Sequence, residues 1–214
     1  MPSIQTARPW YPFADPIHGF DHVLRVYYLA ERLALAEGAN IEIVRAAVLL
    51  HDATGDQASG EEQETRHTHH LASAKFAQQI LQLEGWSPEL IEAVQHCIRA
   101  HRFRDETVQP ETIEAKVVFD ADKLDAIGAI GVARAIAYAL RAGQPIYAQP
   151  SNHFIRTGNK EPGEPHSAYH EYIFKLSVLK DRLYTKSARL IAEERHRYMG
   201  EFFDILAAEA HGEK

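Results

Sequence analysis

Residues 46–56 read AAVLLHDATGD, an apolar run that closes on adjacent His51 and Asp52. An ionised carboxylate at the edge of a buried segment is costly unless it is paired or bound to a metal. Neighbouring residues point about 100° apart on a helix, so an imidazole and a carboxylate at consecutive positions converge on one ion only where the helix frays. Thr54-Gly55-Asp56 supplies such an end. The central expectation is therefore a divalent metal at the end of a buried helix, with further ligands supplied from elsewhere in the chain.

Upstream, Asn40 suits the N-cap of a helix over IEIVRAAVLLHD, whose near-continuous apolar character fits a central helix surrounded on most sides. An earlier helical pattern begins near Asp15-Pro16 or Asp21 and runs through HVLRVYYLAERLALAEG to Gly38, with Leu24, Val26, Tyr27, Leu29, Ala30 and Leu33 on its apolar face. His22 falls in its first turns. His18, four residues earlier, shares that face if the helix starts early enough.

Downstream, residues 58–66 read as a polar loop. A third helix starts at about His67, with Leu71, Ala74, Ala77, Ile80 and Leu81 inward and Gly85 as terminator. Ser87-Pro88-Glu89 then opens a fourth helix over LIEAVQHCIRAH. His69 and His70 on the third helix, with His96 and His101 on the fourth, are suited as a set to line a phosphate or to hold a second ion. Pro110-Glu111 opens a fifth helix, TIEAKVVFDADKLDAIG, with Ile113, Val117, Ala121 and Leu124 apolar. Asp122 and Asp125 stack one turn apart beside that stripe, while Asp120 is expected in solvent. Gly128 and Gly131 make sense where another backbone packs closely. Residues 143–168 hold four prolines and three glycines and read as a lid or binding loop, with disorder as the duller alternative. Helical pattern returns from Tyr169, and a last helix starts near Thr185. The basic set Lys175, Lys180, Arg182, Lys186 and Arg189 suits either a polyphosphate or a solvated face.

No strand signal occurs, so the expected class is all-α. At 214 residues, with no linker and no repeat, the chain reads as one domain over 1–214: a metal core at about 15–142, the loop at about 143–168, and C-terminal helices at about 169–210. The formal charge of -7 disfavours a nucleic-acid backbone as partner and favours a small molecule. Cys97 is the only cysteine, which excludes an internal disulfide and a thiolate zinc site. The start MPSIQTARPWYPF has no charged-then-apolar signal and no run of about 18 apolar residues appears, so a cytoplasmic protein without membrane partners is expected. Of the 13 histidines, His166, His170, His196 and His211 lie in polar stretches and read as surface residues without a role.

His22, His51, Asp52 and Asp122 thus form a set of two imidazoles and two carboxylates on three predicted helices. Such a set suits Mn, Mg, Fe, Co, Ni or Zn and leaves positions for water and a phosphoryl oxygen, the requirements of phosphate-ester or phosphoanhydride hydrolysis. Asp52, Asp56, Asp125 or a nearby histidine is a candidate to orient or deprotonate the attacking water.

This order of residues, the last in Ala121-Asp122-Lys123-Leu124, resembles the HD-domain superfamily of metal-dependent phosphohydrolases. DPIHGFDHVLRV, HCIRAHRF, FDADKLDAIGAIGVAR and FKLSVLKDRLYTKSARLIAEERHRYM resemble, more narrowly, the bacterial YedJ/YpgQ-like family. The resemblance implies an all-α HD-domain helical bundle with a C-terminal helical extension as a lid, and one metal held by His22, His51, Asp52 and Asp122. It also implies a nucleotide substrate cleaved to a nucleoside monophosphate and pyrophosphate. Asp125 would stand nearest the water, and Arg25, His101 and Lys175, with His18, are candidates to grip phosphates. A nucleoside monophosphate phosphatase or cyclic-nucleotide phosphodiesterase would use the same ligands, and a homodimer is left open. A guanosine tetraphosphate hydrolase ranks low, because Gly55-Asp56 stands where that group carries Glu-Asp. A di-iron oxygenase would need two further histidines, and a non-catalytic ligand-binding module would not need all four ligands.

Overall fold

The computed structural model describes residues 1–11, 19–53, 64–102 and 108–214, and in the stretch from 64 to 69 the backbone alone. Among them the regular elements are helices: α1 (Ile4–Ala7), α2 (Phe20–Glu37), α3 (Ile41–Leu50), α4 (Glu64–Leu83), α5 (Pro88–Ala100), α6 (Ile113–Leu124), α7 (Gly128–Arg141), α8 (Asn152–Thr157), α9 (Ala168–Phe174) and α10 (Lys186–Ala210). Short 3-10 turns follow α1 at Arg8–Trp10 and α9 at Leu176–Arg182. The chain is all-α, and none of the described helices is long and apolar enough to cross a membrane.

Two compact units are formed, Met1–Asp122 with Tyr184–Ala188, and Lys123–Leu183 with Arg189–Lys214. In the first, α3 is the hub. Asn40 accepts from the amides of Glu42 and Ile43 and so caps it. From Ile43 onward its residues are buried except Arg45, and it packs against α2, α4 and α5. A helix apolar on every side must be enclosed on every side, and each of its large aliphatic side chains contributes roughly 1.5–3 kcal/mol of burial. Helix α2 lays Val23, Val26, Tyr27, Ala30, Leu33 and Ala34 inward, and Gly38 closes it in the left-handed conformation at φ 71°. Helix α5 opens on Ser87-Pro88 and buries Ile91, Val94, Cys97 and Ile98.

Two side chains depart from the sequence-based expectations here. Leu71, expected inward, is 50% exposed, and the buried positions of that turn are Ser73 and Ala74. Asp120, expected in solvent, is fully buried. It accepts from the backbone amides of Tyr184 and Thr185 at 2.9 and 2.7 Å, and from the Thr185 hydroxyl at 2.6 Å. A periodicity argument places it off the apolar stripe, but donors 64 and 65 residues away offset its burial.

In the second unit, α7 starts afresh at Gly128 rather than continuing α6. Gly131 allows a close approach: a Cβ there would lie 2.3 Å from the Ala126 carbonyl oxygen and 2.7 Å from Met199 Cε. The proline-rich stretch 143–168 is built on a buried polar knot. Glu164 accepts from Ser151 N at 2.6 Å, Ser151 Oγ at 2.9 Å and Glu161 N at 2.7 Å, and lies 3.2 Å from His170 Nε2. Ser167 Oγ lies 2.8 Å from His170 Nδ1 and caps α9. Ser151 caps α8, whose Phe154 is 2% exposed. His170, expected at the surface, is fully buried in this knot. The hydrogen bonds led by that from Ser151 N hold the Glu164 carboxyl down to about 2. Burial lowers His170 in spite of Glu164.

Candidate metal centre

Helix α3 ends at Leu50, and His51, at φ -62° and ψ -36°, begins the turn that continues through Ala53. There the ladder lets go, and consecutive side chains can turn toward one point. His51 Nδ1 lies 2.8 Å from the Val48 carbonyl oxygen. A carbonyl only accepts, so Nδ1 is the donor in this contact, and it is Nε2 that faces the cluster. That Nε2 is shielded from solvent, has no hydrogen-bond partner among the described residues, and stands 3.4 Å from Asp52 Oδ2. His22, buried on the first turn of α2, places Nε2 3.4 Å from Asp122 Oδ1 on α6. The rings of His22 and His51 are 5.7 Å apart edge to face. One ligand atom each from His22, His51 and Asp52 lies within 4.8 Å of the others.

Bonds of about 2.1 Å to one ion leave its ligand atoms roughly 3–4.2 Å apart, and both 3.4 Å separations lie in that range. A buried imidazole nitrogen that faces the Asp52 carboxylate and has no hydrogen-bond partner among the described residues fits a shared cation. The donor set, nitrogen and oxygen without sulfur, fits a hard-to-borderline divalent ion.

His101 stands at the end of α5 in the same manner. Its Nδ1 is 2.5 Å from the Ile98 carbonyl, its Nε2 is 3.6 Å from Asp52 Oδ1, and its ring is 5.1 Å from that of His51. Sequence spacing separates His101 from His51 by 50 residues, yet the two helix ends meet at Asp52. Tyr11 is a neighbour that sequence reasoning missed. Its hydroxyl donates to the Leu49 carbonyl at 2.9 Å, and its pKa is raised well above the ordinary value by burial and then by the Asp52 charge. The aromatic run Trp10-Tyr11-Pro12-Phe13 ahead of Phe20 is the sequence signal that an aromatic anchor precedes α2.

The remaining candidates are placed as follows. Arg25 pairs with Asp21 at 2.6 Å. In the second unit, Asp125 is buried and ion-paired with Arg134, and Lys175 pairs with Glu171 at 2.7 Å. His96 Nε2 accepts from the Glu111 amide at 3.2 Å, and His70 is buried. His18, Asp56 and the side chain of His69 lie outside the described residues.

The HD domain family model matches residues 19–127, spanning α2 to the residues just past α6 and every member of the cluster. The chain belongs to the HD-domain family. It is 34% identical to the uncharacterized protein YpgQ of Bacillus subtilis over 198 residues, covering 91% of this chain and 85% of the relative. The crystal structure of Bacillus subtilis YpgQ in complex with ADP is similar at a TM-score of 0.71 and 30% identity, over 97% of both chains. An HD-superfamily hydrolase from Bacillus thuringiensis is similar at 0.69 and 30%, over 97% of this chain and 96% of the other. The chain is accordingly an HD-superfamily hydrolase, a metal-dependent phosphohydrolase.

Proposed function

We propose that this HD-domain hydrolase acts on nucleotides and converts nucleoside triphosphates to nucleoside monophosphate and pyrophosphate. His22, His51, Asp52 and Asp122 are assigned as ligands of one divalent ion, with Mn or Mg as the first choice. When bound, such an ion supplies Lewis acidity toward a phosphoryl oxygen and lowers the pKa of water. The observation that carries the metal is the buried Nε2 of His51, which has no hydrogen-bond partner among the described residues and lies with His22 and Asp52 in one cluster of ligand atoms. The nucleotide is supported by the similarity to a YpgQ structure that contains ADP.

In the proposed reaction water adds to the α-phosphorus, the bond from that phosphorus to the α,β-bridging oxygen breaks, and pyrophosphate leaves with the electron pair. Asp52, Asp56 and Asp125 are the carboxylates assigned to orient the water or take its proton. Asp52 is the one that lies within the described cluster. His18, Arg25, His101 and Lys175 are assigned to the phosphates. Arg25 and Lys175 already carry carboxylate partners, so a phosphate would compete with Asp21 and Glu171 for them.

The test is to strip the protein of metal, reload it with Mg2+, incubate it with nucleoside mono-, di- and triphosphates, and identify the products by 31P NMR. Pyrophosphate plus monophosphate is the expected result. Orthophosphate released from monophosphates would replace the reading with a nucleotidase, and absence of turnover across the panel and across Mn2+, Co2+ and Ni2+ would overturn it.

A further inference from the structure

His22 and Asp122 come from different helices, α2 and α6, yet their ligand atoms stand 3.4 Å apart. The segment Tyr184–Ala188, distant in sequence from both, is bound to each of these helices. On α6, buried Asp120 accepts from Tyr184 N, Thr185 N and Thr185 Oγ1, and the Tyr184 ring lies edge-on to Phe119 at 5.1 Å. At the end of α2, Glu37 accepts from Ser187 N at 2.8 Å and Ser187 Oγ at 2.6 Å.

Asp120 and Asp122 are two residues apart on one helix, so their side chains point about 200° apart. One is held by the strap while the other is presented to His22. With side chains at about 5–6 Å from the helix axis, a 20° rotation of α6 would sweep the Asp122 carboxylate by about 2 Å. Metal sites tolerate about 0.2 Å.

We propose that Asp120 and Thr185 form a positioning clamp that sets the rotation of α6 and thereby the direction of Asp122, with Glu37 and Ser187 anchoring the strap on α2. The clamp rests on the metal reading above. Neither Asp120 nor Thr185 touches the ion or the substrate. Their effect is on the affinity of the site for metal. Thr185 also receives the Ala188 amide at 3.4 Å as a cap of α10, so loss of its hydroxyl has a purely structural effect that must be separated from positioning.

Thr185→Val keeps the shape of the side chain and removes the hydroxyl, Thr185→Ser restores it, and Asp120→Asn keeps volume while presenting a donor to donors. For each full-length variant, Mn2+ affinity is measured by equilibrium dialysis and the melting temperature is measured after metal removal. The clamp predicts that Thr185→Val and Asp120→Asn weaken Mn2+ binding by about 10-fold or more, while Thr185→Ser stays within about twofold of the unsubstituted chain. The two variants keep the test open should one fail to fold. Unchanged Mn2+ affinity in both, with only the metal-free melting temperature lowered, overturns the clamp and leaves a helix cap. Absence of binding by the unsubstituted protein for Mn2+, Mg2+, Co2+ and Ni2+ alike overturns the metal reading itself, and the clamp with it.

Discussion

His51 is tied by its Nδ1 to the carbonyl of Val48, three residues back in α3, at 2.8 Å. The bond holds the ring so that Nε2 faces the cluster before any ion arrives, and orienting it costs little on binding. His51→Ala and Asp122→Ala are therefore expected to lower Mn2+ affinity by more than about 100-fold, beyond the cost of losing an outer-shell partner, with far-UV circular dichroism unchanged. Full metal occupancy in Asp122→Ala would remove that residue from the ligand set.

Lys175 provides a test that does not touch the metal. Its ammonium is balanced by Glu171, and in the proposed function it grips a phosphate. Lys175→Ala should raise KM for a triphosphate several-fold and leave kcat near the original value, the pattern of lost uniform binding. An unchanged KM would assign Lys175 to its ion pair alone.

Acid sensitivity is expected from the knot around residues 151–171. Burial pushes the Glu171 carboxyl up, but the His166 hydrogen bond and the Lys175 ammonium outweigh it and bring it down to about 2, as the donors to Glu164 do for that residue. Between about 4.5 and 2 the unfolded chain binds protons that the folded carboxylates refuse, so stability falls as pH falls through that window. His170, lowered by burial, acts in the same direction from about pH 6.5 downward, because the unfolded imidazole accepts its proton first. Melting temperatures from pH 7 to 3 should decline, and Glu164→Gln should show a shallower decline below pH 4.5 than the unsubstituted chain. Parallel curves would mean that the Glu164 charge contributes nothing.

Glycines in two helices should respond oppositely to alanine. A Cβ at Gly131 meets a backbone oxygen at 2.3 Å, whereas at Gly200 the nearest contact is the Tyr172 hydroxyl at 3.4 Å. Gly131→Ala should cost about 1–3 kcal/mol through overpacking, and Gly200→Ala should gain up to about 1 kcal/mol from helix propensity. Thermal unfolding of the two variants reads the difference directly.

Much of this architecture was legible in the sequence because its signals are local. Asn40 and Ser87 are caps whose side chains bond to amides two or three residues on, and Gly38 ends α2 for a reason contained in its own φ angle. Two buried polar groups away from the site, Asp120 and His170, were not legible. Asp120 is stabilised by Thr185 across 65 residues, and His170 is buried against Glu164 by a knot whose members look like loop residues. Composition marks such residues as solvated, because hydropathy says nothing about distant donors. At the metal centre, the HD pair and the position of α3 could be read directly. The meeting of His101 with Asp52 could not, since it depends on how the end of α5 packs against the end of α3.

Cys97 lies on the α5 face that buries Val94 and Ile98, with no solvent exposure, and burial raises its thiol far above the ordinary value. As the chain's single sulfhydryl, it is a built-in clock for opening of the core. A thiol reagent can react only during excursions that release α5, so the alkylation rate reports how often the helices around α3 come apart. An ion held at the end of α3 by His51 and Asp52, against which α5 packs, should slow that clock in proportion to its occupancy, giving a measure of metal binding that requires neither substrate nor turnover.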